Sequence, residues 1–128
     1  MSDIYVLDAS ALLCLLLEER GAEKVLASLP TCMIGAVNLC EVVAKLSDRG
    51  GAPAEIDAAL SALDLDVVAF DREQARLAGL MRSQTRGLGL SLGDRACLAL
   101  GVLRNAVVLT CDASWARLEI GCAVELAR

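Results

Sequence analysis

Residues 106–112 have the sequence AVVLTCD, an apolar run rich in β-branched residues that ends in an aspartate. Residues 4–8, with the sequence IYVLD, show the same arrangement near the start of the chain. Short apolar runs that alternate with segments of helical apolar spacing are typical of βαβ units and a mainly parallel sheet. We therefore predict an α/β fold in which Asp8 and Asp112 each end a strand.

The predicted elements fill one domain, residues 1–128, because a chain of 128 residues is long enough to bury one core but not two. Five strands are predicted at residues 4–7, 32–35, 66–69, 106–111 and 122–124. Six helices are predicted at residues 10–17, 22–28, 36–49, 54–62, 72–81 and 92–103, where apolar positions recur at helical spacing. Hydrophobic residues make up 56% of the chain and aromatic residues 2%, which favours an aliphatic α/β core over a β-sandwich.

The chain has no histidine, which excludes Ser-His-Asp and Cys-His catalysis and any histidine general acid. Its chemistry must therefore depend on carboxylates, hydroxyls, lysine or arginine. The six cysteines occur singly among apolar neighbours, without a Cys-x-x-Cys pair that would suggest a zinc site. We interpret all six as buried, reduced thiols: Cys14, Cys32, Cys40, Cys97, Cys111 and Cys122.

Charge is distributed unevenly along the chain. The net charge of −5 argues against a general nucleic-acid-binding surface, which would be basic. Residues 72–104 nevertheless contain six arginines and two acids, so this stretch is basic and the rest of the chain is strongly acidic. Arg82, Arg86 and Arg95 in this stretch are candidates for contacts with nucleic-acid phosphates. The alternative is ordinary solvated charge on helix surfaces.

The longest apolar run, residues 9–17, ends at Glu18 and is far shorter than the ~20 residues that span a bilayer. The first residues after Met1 are Ser2 and Asp3, whereas a signal peptide would begin with basic residues. We therefore expect a cytoplasmic protein without a membrane segment.

Four acidic side chains are predicted to converge at one edge of the sheet. Asp8 and Asp112 end strands at the carboxyl edge, where open α/β folds bind ligands. Asp94 lies in a capping-box sequence that begins at Ser91, and this helix must start at the same edge because it leads back to the fourth strand. Glu41 lies roughly 7 to 8 Å along the helix that follows the second strand.

Each acid also has an ordinary structural interpretation. Asp8, Asp94 and Asp112 are placed to cap the helices that follow them, and Glu41 is placed to pair with Lys45 on the helix surface. Four carboxylates in one place, however, repel one another and are costly to desolvate unless a cation is present. Oxygen ligands select hard ions, so the sequence predicts a site for Mg²⁺ or Mn²⁺.

The motifs that contain these acids occur in the order and spacing of a known family. They are DAS at residues 8–10, NLCE at 38–41, LSLGDR at 90–95 and TCDASW at 110–115. In these residues the chain resembles PIN-domain toxins of the VapC type over nearly its whole length. The resemblance implies a three-layer α/β/α fold with a five-stranded parallel sheet in the order 3-2-1-4-5.

The resemblance also implies an activity and partners. VapC-type toxins are endoribonucleases that use Mg²⁺ or Mn²⁺ and a metal-activated water, leave a 5′-phosphate and a 3′-hydroxyl, and cut tRNA or ribosomal RNA. Asp8, Glu41, Asp94 and Asp112 would form the catalytic, metal-binding set. The supporting residues would be Ser10, Asn38, Ser91 and Thr110. A VapB-type antitoxin and a homodimer are further expectations, and residues 11–17 are either part of such an interface or buried in the core.

Two other function classes compete with this interpretation. One is a catalytically silent PIN-like module that binds RNA or a protein. The other is a receiver-type phosphoacceptor domain, which would need an aspartate ending the third strand and a lysine ending the last one. Asp71 falls just beyond the third strand, but residues 123–126 contain no lysine. The RNA target, the number of metal ions, the carboxylate that acts as base and the antitoxin itself stay open.

Overall fold

A computed structural model describes residues 3–128. Its five strands are β1 (Tyr5–Leu7), β2 (Cys32–Gly35), β3 (Asp66–Val68), β4 (Val107–Thr110) and β5 (Val124–Leu126). Its six α-helices are α1 (Ala9–Leu16), α2 (Ala22–Ser28), α3 (Ala36–Asp48), α4 (Pro53–Ser61), α5 (Arg72–Gln84) and α6 (Leu92–Leu103). Two short 3₁₀ helices, Leu29–Thr31 and Ala113–Arg117, complete the described elements.

The strands form one parallel sheet in the order β3-β2-β1-β4-β5, which confirms the predicted fold. Val6 of β1 pairs with Met33 of β2 on one side and with Val108 of β4 on the other. Strands β2 and β3 lie on one side of β1, whereas β4 and β5 lie on the other side. The crevice between β1 and β4 is therefore the topological switch point. A receiver-type sheet has the order 2-1-3-4-5, and this structure therefore excludes that alternative.

The core has two layers because successive strand residues point to opposite faces of the sheet. Val6 and Val108 pack with α5, α6 and the buried Trp115 on one face. Leu7 and Leu109 pack with α1, α2 and α3 on the other face. Most of residues 11–16 pack in this second layer, and Ala11, Leu12 and Cys14 are fully buried. The core interpretation therefore holds for the buried face of this segment.

Several predicted details are wrong. The last strand lies two residues later than predicted, because Gly121 has a positive φ of 96° and keeps the chain in a turn before Val124 pairs with Val108. Helix α5 extends to Gln84 rather than ending at residue 81. The cysteines are not uniformly buried: Cys14 and Cys97 are buried, whereas Cys40 is exposed on α3. Among residues 3–128, no helix combines the length and apolarity needed to cross a bilayer.

Candidate active site

The carboxyl ends of β1 and β4 border a cavity of about 240 Å³. All four acids predicted from the sequence line it, although they come from four separate segments of the chain. The lining residues are Asp8, Ala9, Ser10, Leu13, Asn38, Glu41, Lys45, Asp94, Asp112 and Trp115. The structure therefore brings the predicted acids together. Of the four supporting residues, Ser10 and Asn38 also line the cavity, whereas Thr110 and Ser91 form hydrogen bonds with acids that line it.

Asp8 is the most firmly held of the acids. Only 5% of its surface is exposed. Its Oδ1 accepts hydrogen bonds from the Ser10 hydroxyl at 2.7 Å and from the Ala11 amide at 2.8 Å, so Asp8 also caps α1. Its Oδ2 accepts a 2.5 Å hydrogen bond from the Thr110 hydroxyl. Both carboxylate oxygens are thus fixed by neighbouring groups.

Ser10 and Thr110 connect the ends of β1 and β4. The Thr110 hydroxyl, fully buried, accepts a hydrogen bond from the Asp112 amide at 3.0 Å while it donates to Asp8. The Ser10 hydroxyl accepts from the Cys111 amide at 2.9 Å while it donates to Asp8. Each hydroxyl therefore links the Asp8 carboxylate, which follows β1, to the backbone that follows β4.

Glu41 reaches the cavity from α3. Its Oε1 accepts a 3.1 Å hydrogen bond from Nδ2 of Asn38, which lies one turn earlier on the same helix. Asn38 is 2% exposed and donates a second 3.1 Å hydrogen bond to the backbone carbonyl of Gly93 on α6. The side chain of Asn38 thus links Glu41 to the start of α6.

Asp94 and Ser91 form the capping box that the sequence predicts at the start of α6. The Ser91 hydroxyl accepts from the Asp94 amide at 3.1 Å, and Asp94 Oδ2 accepts from the Ser91 amide at 3.0 Å. The Asp94 side chain is half-buried, and it lines the cavity as well as capping α6. Ser91 supports Asp94 through these bonds.

Asp112 is exposed, in contrast to Asp8. Its Oδ1 accepts hydrogen bonds from the Ser114 hydroxyl at 2.6 Å and the Ser114 amide at 3.0 Å. These bonds begin the short helix Ala113–Arg117. Asp112 is thus both a cap and a cavity residue.

The electrostatics of the cavity disfavour charged carboxylates. Burial raises the pKa of Asp8 above its ordinary value of 3.8, and the neighbouring Asp94 raises it further, although the bonds from Thr110, Ser10 and Ala11 act in the opposite direction. Burial likewise raises the pKa of Glu41 above 4.5, with added repulsion from Asp94 and Asp8. A cation in the cavity would relieve this repulsion.

The donor set suits a hard divalent ion. All four acids supply oxygen ligands, which such ions prefer. Asn38 Oδ1 and Trp115 Nε1 are buried without a hydrogen-bond partner, and both residues line the cavity. Within residues 3–128, no three His, Cys, Asp or Glu side chains are grouped closely enough to hold a metal ion. The case for an ion therefore depends on the oxygen donors that line the cavity.

Lys45 is a cavity residue that the sequence suggested only as a surface partner for Glu41. It lines the cavity beside the four acids, and its charge lowers the pKa of Glu41. The two ion pairs found between residues 3 and 128 lie elsewhere, between Lys24 and Glu125 and between Glu19 and Arg128. Its spacing of one turn from Glu41 was visible in the sequence, but that spacing alone does not distinguish a cavity residue from a surface pair.

The three predicted RNA-binding arginines fall into two groups. Arg82 and Arg86 are exposed and line a second cavity of about 220 Å³, which includes the glycine-rich loop before α6. Arg95 is only 8% exposed, and its guanidinium donates a 2.9 Å hydrogen bond to the Ala78 carbonyl of α5. The expectation that Arg95 contacts RNA is therefore corrected: it joins α6 to α5 inside the protein.

Comparison of the sequence with known families gives one result that bears on this site. The family model described as PIN domain matches residues 5–121, which include all four acids. No curated protein matches the chain in sequence.

Solved structures with a similar fold include toxin–antitoxin proteins from three bacteria. VapBC2 from Rickettsia felis, bound to a DNA fragment from its promoter, gives a TM-score of 0.78 at 16% identity, covering 96% of this chain and 98% of that chain. DNA-bound VapBC from Salmonella typhimurium gives 0.78 at 18% identity, covering 99% and 100%. VapBC-5 from Mycobacterium tuberculosis gives 0.62 at 23% identity, covering 99% of both chains. At these identities the likeness shows a shared fold.

Proposed function

This chain belongs to the PIN-domain family, and on that premise we propose that it is a metal-dependent endoribonuclease toxin of the VapC type. The observation that carries the proposal is the convergence of Asp8, Glu41, Asp94 and Asp112 on one cavity at the switch point of the sheet. Such a group of acids is electrostatically costly, and binding of a cation for phosphodiester chemistry accounts for that cost.

In this proposal the four carboxylates hold Mg²⁺ or Mn²⁺. When bound, the ion supplies Lewis-acid chemistry, because it lowers the pKa of water and offsets charge that develops on the phosphate. The chain's own residues keep the carboxylates in place: Ser10 and Thr110 hold Asp8, Asn38 holds Glu41, and Ser91 holds Asp94. Hydrogen-bonding partners of this kind orient metal ligands.

The cationic side chains near the cavity are suited to the RNA backbone. Lys45 lines the cavity itself, where its ammonium group would face a phosphate held among the acids. Arg82 and Arg86 lie around the loop that leads to Ser91 and α6, so they would bind phosphates beside the one that is cut. These residues give an acidic protein a local surface for RNA.

The toxin part of the proposal includes a VapB-type antitoxin, a homodimer and a cytoplasmic location. The antitoxin partner is supported by the solved structures of similar fold, which are described as VapBC proteins or a VapBC family member. The homodimer and the cytoplasmic location are proposed with it as part of the same type of toxin. The RNA substrate, tRNA or ribosomal RNA, is part of the same proposal.

A catalytically silent PIN-like module is the second candidate. One observation favours it, namely that no three of the acids within residues 3–128 are already grouped as the ligands of one ion. The two candidates differ in what happens when a metal ion is added, because only the enzyme cleaves bound RNA.

An RNA-cleavage assay with the metal-free protein separates the candidates. We expect the wild type to cut end-labelled RNA with Mn²⁺ and to lose this activity with EDTA or in Asp94→Asn. Asp71→Asn is the matched control, because Asp71 also caps a helix but lies outside the cavity residues. RNA binding without cleavage at any Mn²⁺ concentration would support the silent module. Equal cleavage by both variants would contradict the proposed site.

A further inference from the structure

The carboxylate of Glu41 lies directly against α6 at the position of Gly93. A Cβ atom added to Gly93 would be 2.6 Å from both Cδ and Oε2 of Glu41, which is well inside the distance of any normal non-bonded contact. Gly93 itself is buried. The space that a side chain would fill at this position is therefore occupied by the Glu41 carboxylate.

Asn38 forms hydrogen bonds with both Glu41 and Gly93. Its Nδ2 donates to Glu41 Oε1 and to the carbonyl oxygen of Gly93, both at 3.1 Å. The same amide group thus contacts the carboxylate and the residue that makes room for it. Asn38 is almost completely buried, and its hydrogen bond to Gly93 links α3 to α6 at the cavity.

The backbone does not require glycine at this position. Gly93 does not have a positive φ, and it is the second residue of α6. Alanine could adopt the same backbone conformation, so something other than local conformation must account for the glycine. Gly79 in α5 provides a contrast, because an added Cβ there would have no neighbour within 4 Å.

We propose that Gly93 is a positioning residue that provides the seat for the Glu41 carboxylate beside Asp94. Its missing side chain lets Glu41 lie against α6 while Asn38 holds both residues. The effect on RNA cleavage follows from the proposed function, but the seat itself is a matter of packing and is testable without RNA.

Gly93→Ala should displace Glu41 without unfolding the protein. The atoms in conflict belong to the end of a flexible side chain, so Glu41 can swing away at little cost, and alanine favours the helix. We therefore expect the thermal midpoint of Gly93→Ala to equal or exceed that of the wild type. Gly79→Ala is the matched control, because it makes the same exchange inside a helix where the added Cβ meets nothing.

The first readout is the side-chain amide of Asn38 in NMR spectra of the metal-free protein. We expect its resonance to shift and its hydrogen exchange to accelerate in Gly93→Ala, and to stay unchanged in Gly79→Ala. An Asn38 amide that keeps its wild-type shift and protection in Gly93→Ala would overturn the proposal, whatever the protein does to RNA.

The second readout is binding of Mn²⁺ by calorimetry, measured alone and in a Glu41→Ala background. We expect Gly93→Ala to weaken Mn²⁺ binding by about 10-fold or more, as loss of a ligand's support typically does. In Glu41→Ala the carboxylate is gone, so adding Gly93→Ala should have no further effect. An equal loss in both backgrounds would show that Gly93 acts independently of Glu41 and would overturn the proposal. If Mn²⁺ does not bind the wild type, the proposed function is wrong. The Asn38 amide signal still tests whether Gly93 positions the Glu41 carboxylate.

Discussion

Asp8 and Asp112 end neighbouring parallel strands at the same edge of the sheet, yet their environments differ. Asp8 is buried, and three donors from Ser10, Ala11 and Thr110 occupy both of its oxygens. Asp112 is exposed, and Ser114 from its own turn provides its side-chain hydrogen bonds. Position at a strand end therefore brings an acid to the site, whereas the neighbouring hydroxyls decide whether it is fixed there. In the proposed metal site, Asp8 would therefore be the fixed ligand and Asp112 the adaptable one.

The largest expected effect is the loss of Asp8. We expect Asp8→Asn to lower kcat/KM for RNA with Mn²⁺ by about 1,000-fold or more, equivalent to roughly 4 kcal/mol of transition-state stabilisation. Asp112→Asn should cost less, about 10- to 100-fold, because an exposed ligand is more readily replaced by water. Circular dichroism should show both variants folded. A larger loss in Asp112→Asn would reverse the assignment of fixed and adaptable ligands.

The next effect concerns the hydroxyl that fixes Asp8. Thr110→Val removes the donor to Asp8 and the acceptor of the Asp112 amide while keeping the side-chain volume. We expect activity to fall by about 10- to 100-fold. Ser114→Ala, which removes a hydroxyl from the exposed Asp112, is the matched control and should change activity by less than about 3-fold. Similar losses in the two variants would remove the distinction between the aspartates.

A smaller effect is expected in the pH dependence of stability. Burial raises the pKa of Asp8 in the folded protein, so the folded state binds this proton more tightly than the unfolded state. Its contribution to stability is complete below pH 3.8 and is lost as pH rises through the raised pKa. Urea denaturation of the metal-free protein should therefore show that the free energy of unfolding declines less steeply above pH 4 in Asp8→Asn than in the wild type. Parallel curves would contradict the claim that burial raises the pKa of Asp8.

The smallest effects on activity are expected at the arginines, where exposed and buried side chains again differ. Arg82→Gln and Arg86→Gln should each raise KM by about 2- to 5-fold and leave kcat unchanged, because exposed phosphate contacts are individually weak. Arg95→Gln should instead lower the thermal midpoint, since it removes the bond to the Ala78 carbonyl between α5 and α6. A selective rise in KM for Arg95→Gln would restore its role in RNA binding.

Much of the fold could be predicted from local sequence. Apolar runs that end in Asp8 and Asp112 identify strands and the sheet edge, and the spacing of Ser91 and Asp94 identifies a helix start. These features depend on residues that are close together in the sequence, so they can be predicted without knowledge of the tertiary packing. The strand order came from the resemblance rather than from periodicity.

The details that sequence missed depend on packing between distant segments. Arg95 is buried because α5 lies across it and Ala78 accepts its hydrogen bond, a contact between residues 17 positions apart. The seat at Gly93 exists because α3 brings Glu41 against α6, which a single glycine in a helical run does not reveal. Lys45 likewise became a cavity residue only when its helix was placed beside the sheet edge.

Binding of Mn²⁺ to the metal-free protein is the most direct test of the central claim that the four acids form one cation site. Calorimetry should show Mn²⁺ binding to the wild type, its loss in Asp8→Asn and Asp94→Asn, and normal binding in the control Asp71→Asn. Binding of equal affinity in all four proteins, or no binding to the wild type, would contradict the account.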